Sequence, residues 1–532
     1  MRHRRFLMFS TALILWGALF LSAGMPPGID QTAAREREAA GNARLIEALK
    51  SYIPHMIQQT GVWGLNIALA RRGDVIWEEG FGWADVEKKI PMTKDTVFHS
   101  GSMGKTYTAT AVMQLVDKGL IGLHDPINKY LKEFQVKNPL GDRDITFHDL
   151  LTHRSGLATN NAGCRFVTTT PLGRHLKEQY SKKMDKIYNE TVVPTWSAKV
   201  GEKYQYSNFG MATLGYLVEV INPEGLSYSE YVQKYIMDPL GMKSSQYPPI
   251  QDAAHVRPDI FARFSTGYAK FGQVDIPTPT IYFDDFPAGT VVSTPGDHIR
   301  LILAYLNQGR YRGYQLLKPE TVKLMLTPQV PLGNQALGLV WHLTNVDKPD
   351  FSFGHAGAHM FGWYNNFRAY PKPNFALVVA VNSWDMTSAA FGNKEFNLLA
   401  NFISTWIEHE EENVKRTSPS TSWAWKTSYV IGLIMAERLR GGLGIEEPLT
   451  PEMIEAMARG AKVRAGGEGK GILTWDPDGF RAGIKDMIAV EMTFEGIKGF
   501  LKSDRLKITS QELEIITKEL GSDKPLLPWI SY

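Results

Sequence analysis

Phe98-His99-Ser100-Gly101-Ser102-Met103-Gly104-Lys105 leads into a segment where Ala109, Val112, Met113 and Val116 recur at helical spacing. That spacing predicts a helix with one buried stripe. Ser100 is placed to cap its start, and Lys118-Gly119 to end it. Ser102 then falls in the first turn with Lys105 three residues on, so the two side chains share a face. A serine hydroxyl is a weak nucleophile until a neighbour takes its proton. A neutral lysine amine can be that neighbour. Lowering its pKa from about 10.4 to about 7 costs about 4–5 kcal/mol. Burial beside other donor groups supplies such a shift, and the helix dipole favours negative charge developing at Ser102. Ser-x-x-Lys is a cheap pattern, and it occurs once in this chain. It needs partners before it means catalysis.

The chain has 532 residues, too many for one ordinary core, so two domains are expected. Apolar residues make up 43% and charged residues 21%, a globular composition that argues against extended disorder. A net charge of +3, with no basic block beyond the extreme N-terminus, gives no nucleic-acid signature. Cys164 is the single cysteine, which excludes an intramolecular disulfide and a cysteine-rich metal site. Met1-Arg2-His3-Arg4-Arg5 is basic, and Phe6 to Ala23 is an unbroken run of apolar or small residues. Residues 1–24 therefore read as a secretory signal, with Ser22-Ala23-Gly24 a tolerable cleavage site. An uncleaved membrane anchor is the competing reading, because the run approaches the length that spans a bilayer. Either way the protein is expected to be exported, periplasmic or secreted, where a lone cysteine is at ease.

Ile29 to Gln59 is helix-prone, with Leu45, Ile46, Leu49, Ile53 and Ile57 on one face. Gly64 to Ala70 and Val75 to Phe81 read as strands joined by a turn at Arg71-Arg72-Gly73-Asp74. Residues Asn160 to Lys203 read as a long, mostly helical insertion over the site, and helices follow at Tyr204 to Val220 and Pro295 to Asn307. Leu337 to Thr344, Phe361 to Ala369 and Phe375 to Asn382 read as three late strands, and Phe396 to Ile407 as an apolar helix. For the core to close, the early hairpin and the late strands must share one antiparallel sheet. The expected fold class is α/β (α+β): an antiparallel sheet flanked by helices, with a large helical insertion and a smaller, mostly helical C-terminal domain.

Residues 29–412 form the expected first domain, 417–422 (Thr-Ser-Pro-Ser-Thr-Ser) a linker, and 423–532 a C-terminal domain of unknown role. Gly466-Gly467-Glu468-Gly469-Lys470-Gly471 lacks the Gly-Lys-Ser/Thr ending of a phosphate loop and reads as a flexible loop. Trp423, Trp425, Trp475 and Trp529 are suited to packing on the first domain, with contact to glycan or membrane as the alternative.

Tyr206-Ser207-Asn208 and His355-Ala356-Gly357 follow Ser102 and Lys105 in order. Tyr-x-Asn also occurs at Tyr305 and Tyr364, where a helix face and a strand are the simpler readings. With Leu150 to Leu157, Asp238 to Met242 and Pro287-Ala288-Gly289, the chain resembles the serine β-lactamase and penicillin-binding protein superfamily. Within it, the resemblance is to the branch of class C β-lactamases, D-Ala-D-Ala carboxypeptidases and related esterases. It spans about Leu45 to Ile407.

The resemblance implies a nucleophile at Ser102, with Lys105 and Tyr206 sharing the proton and Tyr206 protonating the leaving group. It implies substrate contacts from Asn208, His355, Gly357 and Ala358, and an oxyanion site between the N–H groups of Ser102 and Ala358. A histidine at 355 offers weaker, pH-dependent attraction for a carboxylate than a lysine would. This favours esterase or peptidase chemistry over β-lactam hydrolysis. Gly104 replaces a side chain usual before the lysine, allowing close packing. Ala358-His359-Met360 replaces a Gly-Gly continuation, so His359, Met360 and Trp363 either shape an acyl pocket or simply pack a strand. His148 and His153 are five apart, which does not suit a helical metal pair, and no metal or other cofactor is expected. The expected partner is a small-molecule or peptide substrate. The non-enzymatic alternative is a penicillin- or cell-wall-peptide-binding sensor or scaffold.

Overall fold

The computed structural model describes residues 31–157, 164–165, 170–181, 196–248, 254–271, 274–278, 282–359, 362–385 and 394–408. The apolar run 6–23, half of the insertion, the linker 417–422, the domain 423–532 with its four tryptophans and Gly466 to Gly471 lie outside the described residues. Among the described residues no helix is long and apolar enough to cross a membrane.

Helix α1 (Gln31–Thr60) precedes the hairpin β1 (Gly64–Arg71) and β2 (Asp74–Asp85), and β3 (Ile90–Pro91) extends the edge. Arg72 and Gly73 both take positive φ, 49° and 93°, in a two-residue turn that suits the twist of the strands. Among the helices that follow, α2 (Lys105–Asp117), α3 (Asn208–Ile221) and α4 (Pro295–Leu306) bear on the site and its core. The chain then returns through β4 (Val330–Leu332), β5 (Gln335–Leu337), β6 (His342–Thr344), β7 (Ser352–His359), β8 (Trp363–Tyr370) and β9 (Phe375–Val381), and α5 (Lys394–Glu408) follows them.

These strands form one nine-stranded antiparallel sheet in the order β4-β5-β6-β7-β8-β9-β1-β2-β3. Ala68 faces Val378 across the β1–β9 seam, so the two ends of the domain are stitched directly together. The early hairpin and the late strands thus share a sheet, as their sequence requires.

Each face of the sheet buries a different set of helices. Ala68, Ala70, Ala376 and Val378 join the main core with Ile299, Leu303, Val112 and Met113, under α2 and α4. Leu69 and Leu377, paired across the seam, alternate to the other face with Arg368. The Arg368 guanidinium meets the Phe396 ring of α5, 5.4 Å away. On α1, Leu45, Leu49, Tyr52, Ile53 and Met56 are at most 1% exposed, and Tyr52 stacks on Phe402 of α5 at 4.7 Å. Each fully buried side chain of this size is worth about 1.5–3 kcal/mol over exposure.

Three expectations need correction. Leu337 to Thr344 is two strands, because the chain reverses between them: Val340 has φ 75° and its N–H bonds Leu151 O at 2.9 Å. Helix α2 is buried on every side from Lys105 to Leu115, not along one stripe. Its threonines are tolerated there because each hydroxyl has a partner: Thr106 donates to Met103 O (2.8 Å), Thr108 to Pro287 O (2.6 Å) and Thr110 to Thr106 O (2.7 Å). Third, Ser100 makes no side-chain cap. A 3-10 turn, Gly101–Gly104, stands between it and α2, and Gly101 has φ 55°.

Candidate active site

The 3-10 turn that carries Ser102 lies against β7. Beyond Gly354 the strand β7 pairs only with β8, because β6 ends its ladder at the Ser352–Gly354 segment. The freed edge of β7 meets the turn. A Cβ on Gly101 would stand 2.7 Å from Ala358 N, and one on Gly357 would fall on Ser100 O. Glycine at 101 and 357 lets two backbones approach to a distance that no side chain permits. Ala358 therefore lies beside Ser102, on the open edge of its strand.

A second turn, Phe286–Ala288, closes from the other side. A Cβ on Gly104 would stand 2.7 Å from the Tyr247 hydroxyl and 3.0 Å from Gly289 Cα, so glycine at 104 does permit close packing. Pro287 O accepts from Thr108 at 2.6 Å and from the Tyr247 hydroxyl at 2.9 Å, which fixes the turn from below. The next carbonyl, Ala288 O, accepts from Lys105 Nζ at 2.6 Å.

Lys105 is 0% exposed, and its Nζ donates to Ser102 Oγ at 3.0 Å. Its Nζ also lies 4.8 Å from the centre of the Tyr206 ring. Burial lowers its pKa from the ordinary lysine value to about 7, opposed by the nearby Asp285 carboxylate. The amine is thus available as a base near neutral pH. The Tyr206 hydroxyl bonds the Ser102 side chain, and burial pushes the phenol's pKa up. Ser102, Lys105 and Tyr206 are brought together by three separate elements.

Tyr206 is held in place by a residue with a structural reading in the sequence. His153, at φ 54° and 1% exposed, packs its ring 4.7 Å from that of Tyr206, and its Nδ1 accepts from Ser207 N at 3.2 Å. Ser207 caps α3, its Oγ accepting from Gly210 N at 3.0 Å. This presents Asn208 to the cleft as the first residue of the helix. His148 stays remote: it bonds Gln329 at 3.1 Å and stacks near His124.

His355, Gly357 and Ala358 sit on β7 as expected, but the His355 ring is 4% exposed. Burial, with His342 and Lys105 nearby, holds its pKa well below the ordinary imidazole value. His355 is neutral, so the pH-dependent attraction anticipated for it is absent in the physiological range. Of the other side chains weighed for an acyl pocket, His359 lines the cleft, whereas Trp363 donates to Ser265 Oγ at 2.9 Å in a separate small core; Met360 lies outside the described residues.

The cleft holds about 660 Å³ and is lined by Ser102, Tyr206, Asn208, His355, Ala358 and His359, among others. Asp285, 4% exposed, also lines it, and no sequence motif marks that residue. Its position emerges only when the Phe286–Ala288 turn is folded over Lys105.

Comparison with known proteins bears on the family and the fold. The profile of the Beta-lactamase family matches residues 44–402. The chain is 23% identical over 347 residues to protein flp of Staphylococcus aureus, covering 63% of each chain. It is 25% identical over 379 residues to the serine beta-lactamase-like protein LACTB, mitochondrial, of Mus musculus, covering 57% of this chain and 66% of that one. The chain thus spans 63% of the length of flp, less than two thirds. Its fold is similar to that of the octameric penicillin-binding protein homologue from Pyrococcus abyssi: TM-score 0.52, 21% identity, 73% of this chain and 82% of that one. It is likewise similar to a class C beta lactamase: TM-score 0.52, 18% identity, 64% and 94% covered. The fold is consistent with a serine hydrolase. The chain belongs to the Beta-lactamase family.

Proposed function

We propose that the protein is a serine hydrolase that forms an acyl-enzyme on Ser102 and cleaves an ester or amide. The observation that carries this reading is the 3.0 Å contact between Ser102 Oγ and the wholly buried Lys105 amine. A lysine held near neutrality is a competent base. Ser102 Oγ bonds to the substrate carbonyl carbon while its proton passes to Lys105. The carbonyl oxygen, now anionic, takes donors from the backbone N–H groups of Ser102 and Ala358. Tyr206 hands a proton to the leaving group as the carbon–heteroatom bond breaks, and Lys105 passes the serine proton on to Tyr206. Water then attacks the acyl carbon as its proton passes to Lys105, and the bond to Ser102 Oγ breaks as that proton returns to the serine oxygen. Asn208 and His355 orient the substrate along the open edge of β7.

A neutral His355 gives no fixed positive charge for a substrate carboxylate at its position. That supports esterase activity, or peptidase activity on substrates without a carboxylate at that position, ahead of β-lactamase activity, and leaves the D-Ala-D-Ala carboxypeptidase type as a further arm of the test. Export through residues 1–24 fits the same reading, since the basic start and apolar run are those of a secretory signal. The test is turnover of p-nitrophenyl esters, D-amino-acid peptides and nitrocefin by wild type and Ser102→Ala. Ester or peptide turnover lost in the variant supports the proposal. Turnover retained by Ser102→Ala rejects Ser102 as the nucleophile, and turnover absent from wild type while penicillin binds reversibly favours a sensor.

A further inference from the structure

We infer that Arg368 is a substrate-binding residue of the same cleft: it takes a carboxylate at the far end of a short, extended substrate whose reacting carbonyl lies at Ser102. The inference deepens the serine-hydrolase reading and rests on it.

The open edge of β7 lets the cleft reach both faces of the sheet. Side chains alternate along a strand, so His355 shares a face with Phe353 of the main core. Gly354, Ala356 and Ala358 belong to the other face, opposite Arg368, Asn366 and Tyr364 of β8 in that order. All six line the cleft together with Ser102, Tyr206 and His355. On this face β8 presents a row of three long polar side chains, while the facing positions of β7 are glycine, alanine and alanine. Residues that small leave a trough along the row, continuous with the Ser102 cleft.

Arg368 is the one lysine or arginine among the described residues that line this cleft. His342, His355 and His359 also line it, and burial holds each imidazole below its ordinary value, hence neutral. Among the described residues Arg368 has no carboxylate partner and no hydrogen bond; its guanidinium rests 5.4 Å from the centre of the Phe396 ring. The carboxylate of Glu395, one residue earlier on α5, acts on Tyr364 instead. A guanidinium seated against a ring still has its N–H fork to offer, and that fork matches the two oxygens of a carboxylate. Asp285 lies in the same lining and disfavours a second negative charge, so a single carboxylate fits better than a phosphate dianion.

Arg368 stands level with Gly354, four residues before Ala358 and thus about 13 Å away along the strand. An extended chain of about four residues covers that length. The carboxylate that Arg368 reads is therefore remote from the bond that breaks, not on the carbon beside it.

The test is kcat and KM for matched pairs, free carboxylate against neutral amide, in two series. One is p-nitrophenyl half-esters of linear dicarboxylic acids of increasing length. The other is short D-amino-acid peptides with the C-terminal carboxylate at increasing distance from the scissile bond. Wild type, Arg368→Gln and Arg368→Lys are compared as full chains, with thermal unfolding to verify folding and fluorophosphonate labelling to verify Ser102. Wild type is expected to prefer the carboxylate in at least one series, through a lower KM, and the preference to grow with length. Arg368→Gln is expected to raise KM for the long anionic members by about 10- to 100-fold, with kcat little changed and the loss confined to the anionic member of each pair. Arg368→Lys keeps part of the preference. Equal selectivity in wild type and Arg368→Gln, a variant that impairs both members alike, or a preference strongest at the shortest spacing overturns the inference and leaves the hydrolase reading standing while Ser102 is labelled. Absence of labelling and turnover in wild type overturns that reading, and this inference with it.

Discussion

Gly101 lies against the backbone of Ala358 so closely that a Cβ at 101 would stand 2.7 Å from both Ala358 N and Ala358 O. The position also has φ 55°. This pair of residues joins the Ser102 turn to the open edge of β7. Gly101→Ala is therefore expected to destabilise the fold by about 1–3 kcal/mol and to separate the N–H groups of Ser102 and Ala358. Urea unfolding together with ester turnover checks this. A variant with wild-type stability and rate would show that the close approach has no part in the site.

Lys105 and Asp285 make stability depend on pH in an unusual direction. Asp285 is raised in the folded protein, to about 7, so its contribution is present below pH 3.8 and lost as pH rises through that folded value. Lys105 is lowered, also to about 7, so its contribution is present above pH 10.5 and lost as pH falls through 7. Both effects place the least stable point near neutrality. The expected outcome is that Lys105→Met/Asp285→Asn gains stability over wild type most at pH 7 and less at pH 5 and pH 9.5. Urea titrations at the three pH values measure it.

Tyr206→Phe removes one oxygen from the bonded set around Ser102 and leaves the ring contact with His153 in place. Its expected effect is a loss of about 10²–10⁴ in turnover, with a stability change of about 1 kcal/mol or less. Steady-state kinetics and a melting curve separate the two.

His355 is neutral across the physiological range, because burial disfavours its charged form. Between pH 5.5 and 8, KM for an anionic ester relative to a neutral ester is expected to change in the same way in wild type and in His355→Gln, since any change comes from Lys105 and Asp285. A steep improvement toward acid pH that His355→Gln abolishes would mean that His355 is charged with substrate bound.

What the sequence reveals of the site is its motif-bearing part. Ser102 and Lys105 declare themselves by spacing, and Tyr206, Asn208 and His355 by their order along the chain. Asp285 carries no such signal: it lines the cleft because Gly104 and Gly289 let a distant turn settle on α2. His153 reads as structural from its spacing to His148, and its packing under Tyr206 depends on a left-handed backbone that no periodicity encodes. The fold follows the same division. The β1–β2 hairpin is written in Arg72-Gly73, and the strands of β8 and β9 in apolar runs. The buried polar face of α2 was illegible because Thr106, Thr108 and Thr110 look solvent-facing until their carbonyl partners are in place.

The claim that Ser102 is activated by Lys105 is tested most directly by intact-mass and peptide analysis of the protein after fluorophosphonate treatment at pH 8. One adduct on the peptide containing Ser102 in wild type, absent from Ser102→Ala and at least about a hundredfold slower to form in Lys105→Met, is the expected result. Adducts of equal yield in wild type and Ser102→Ala, or undiminished labelling in Lys105→Met, would contradict it.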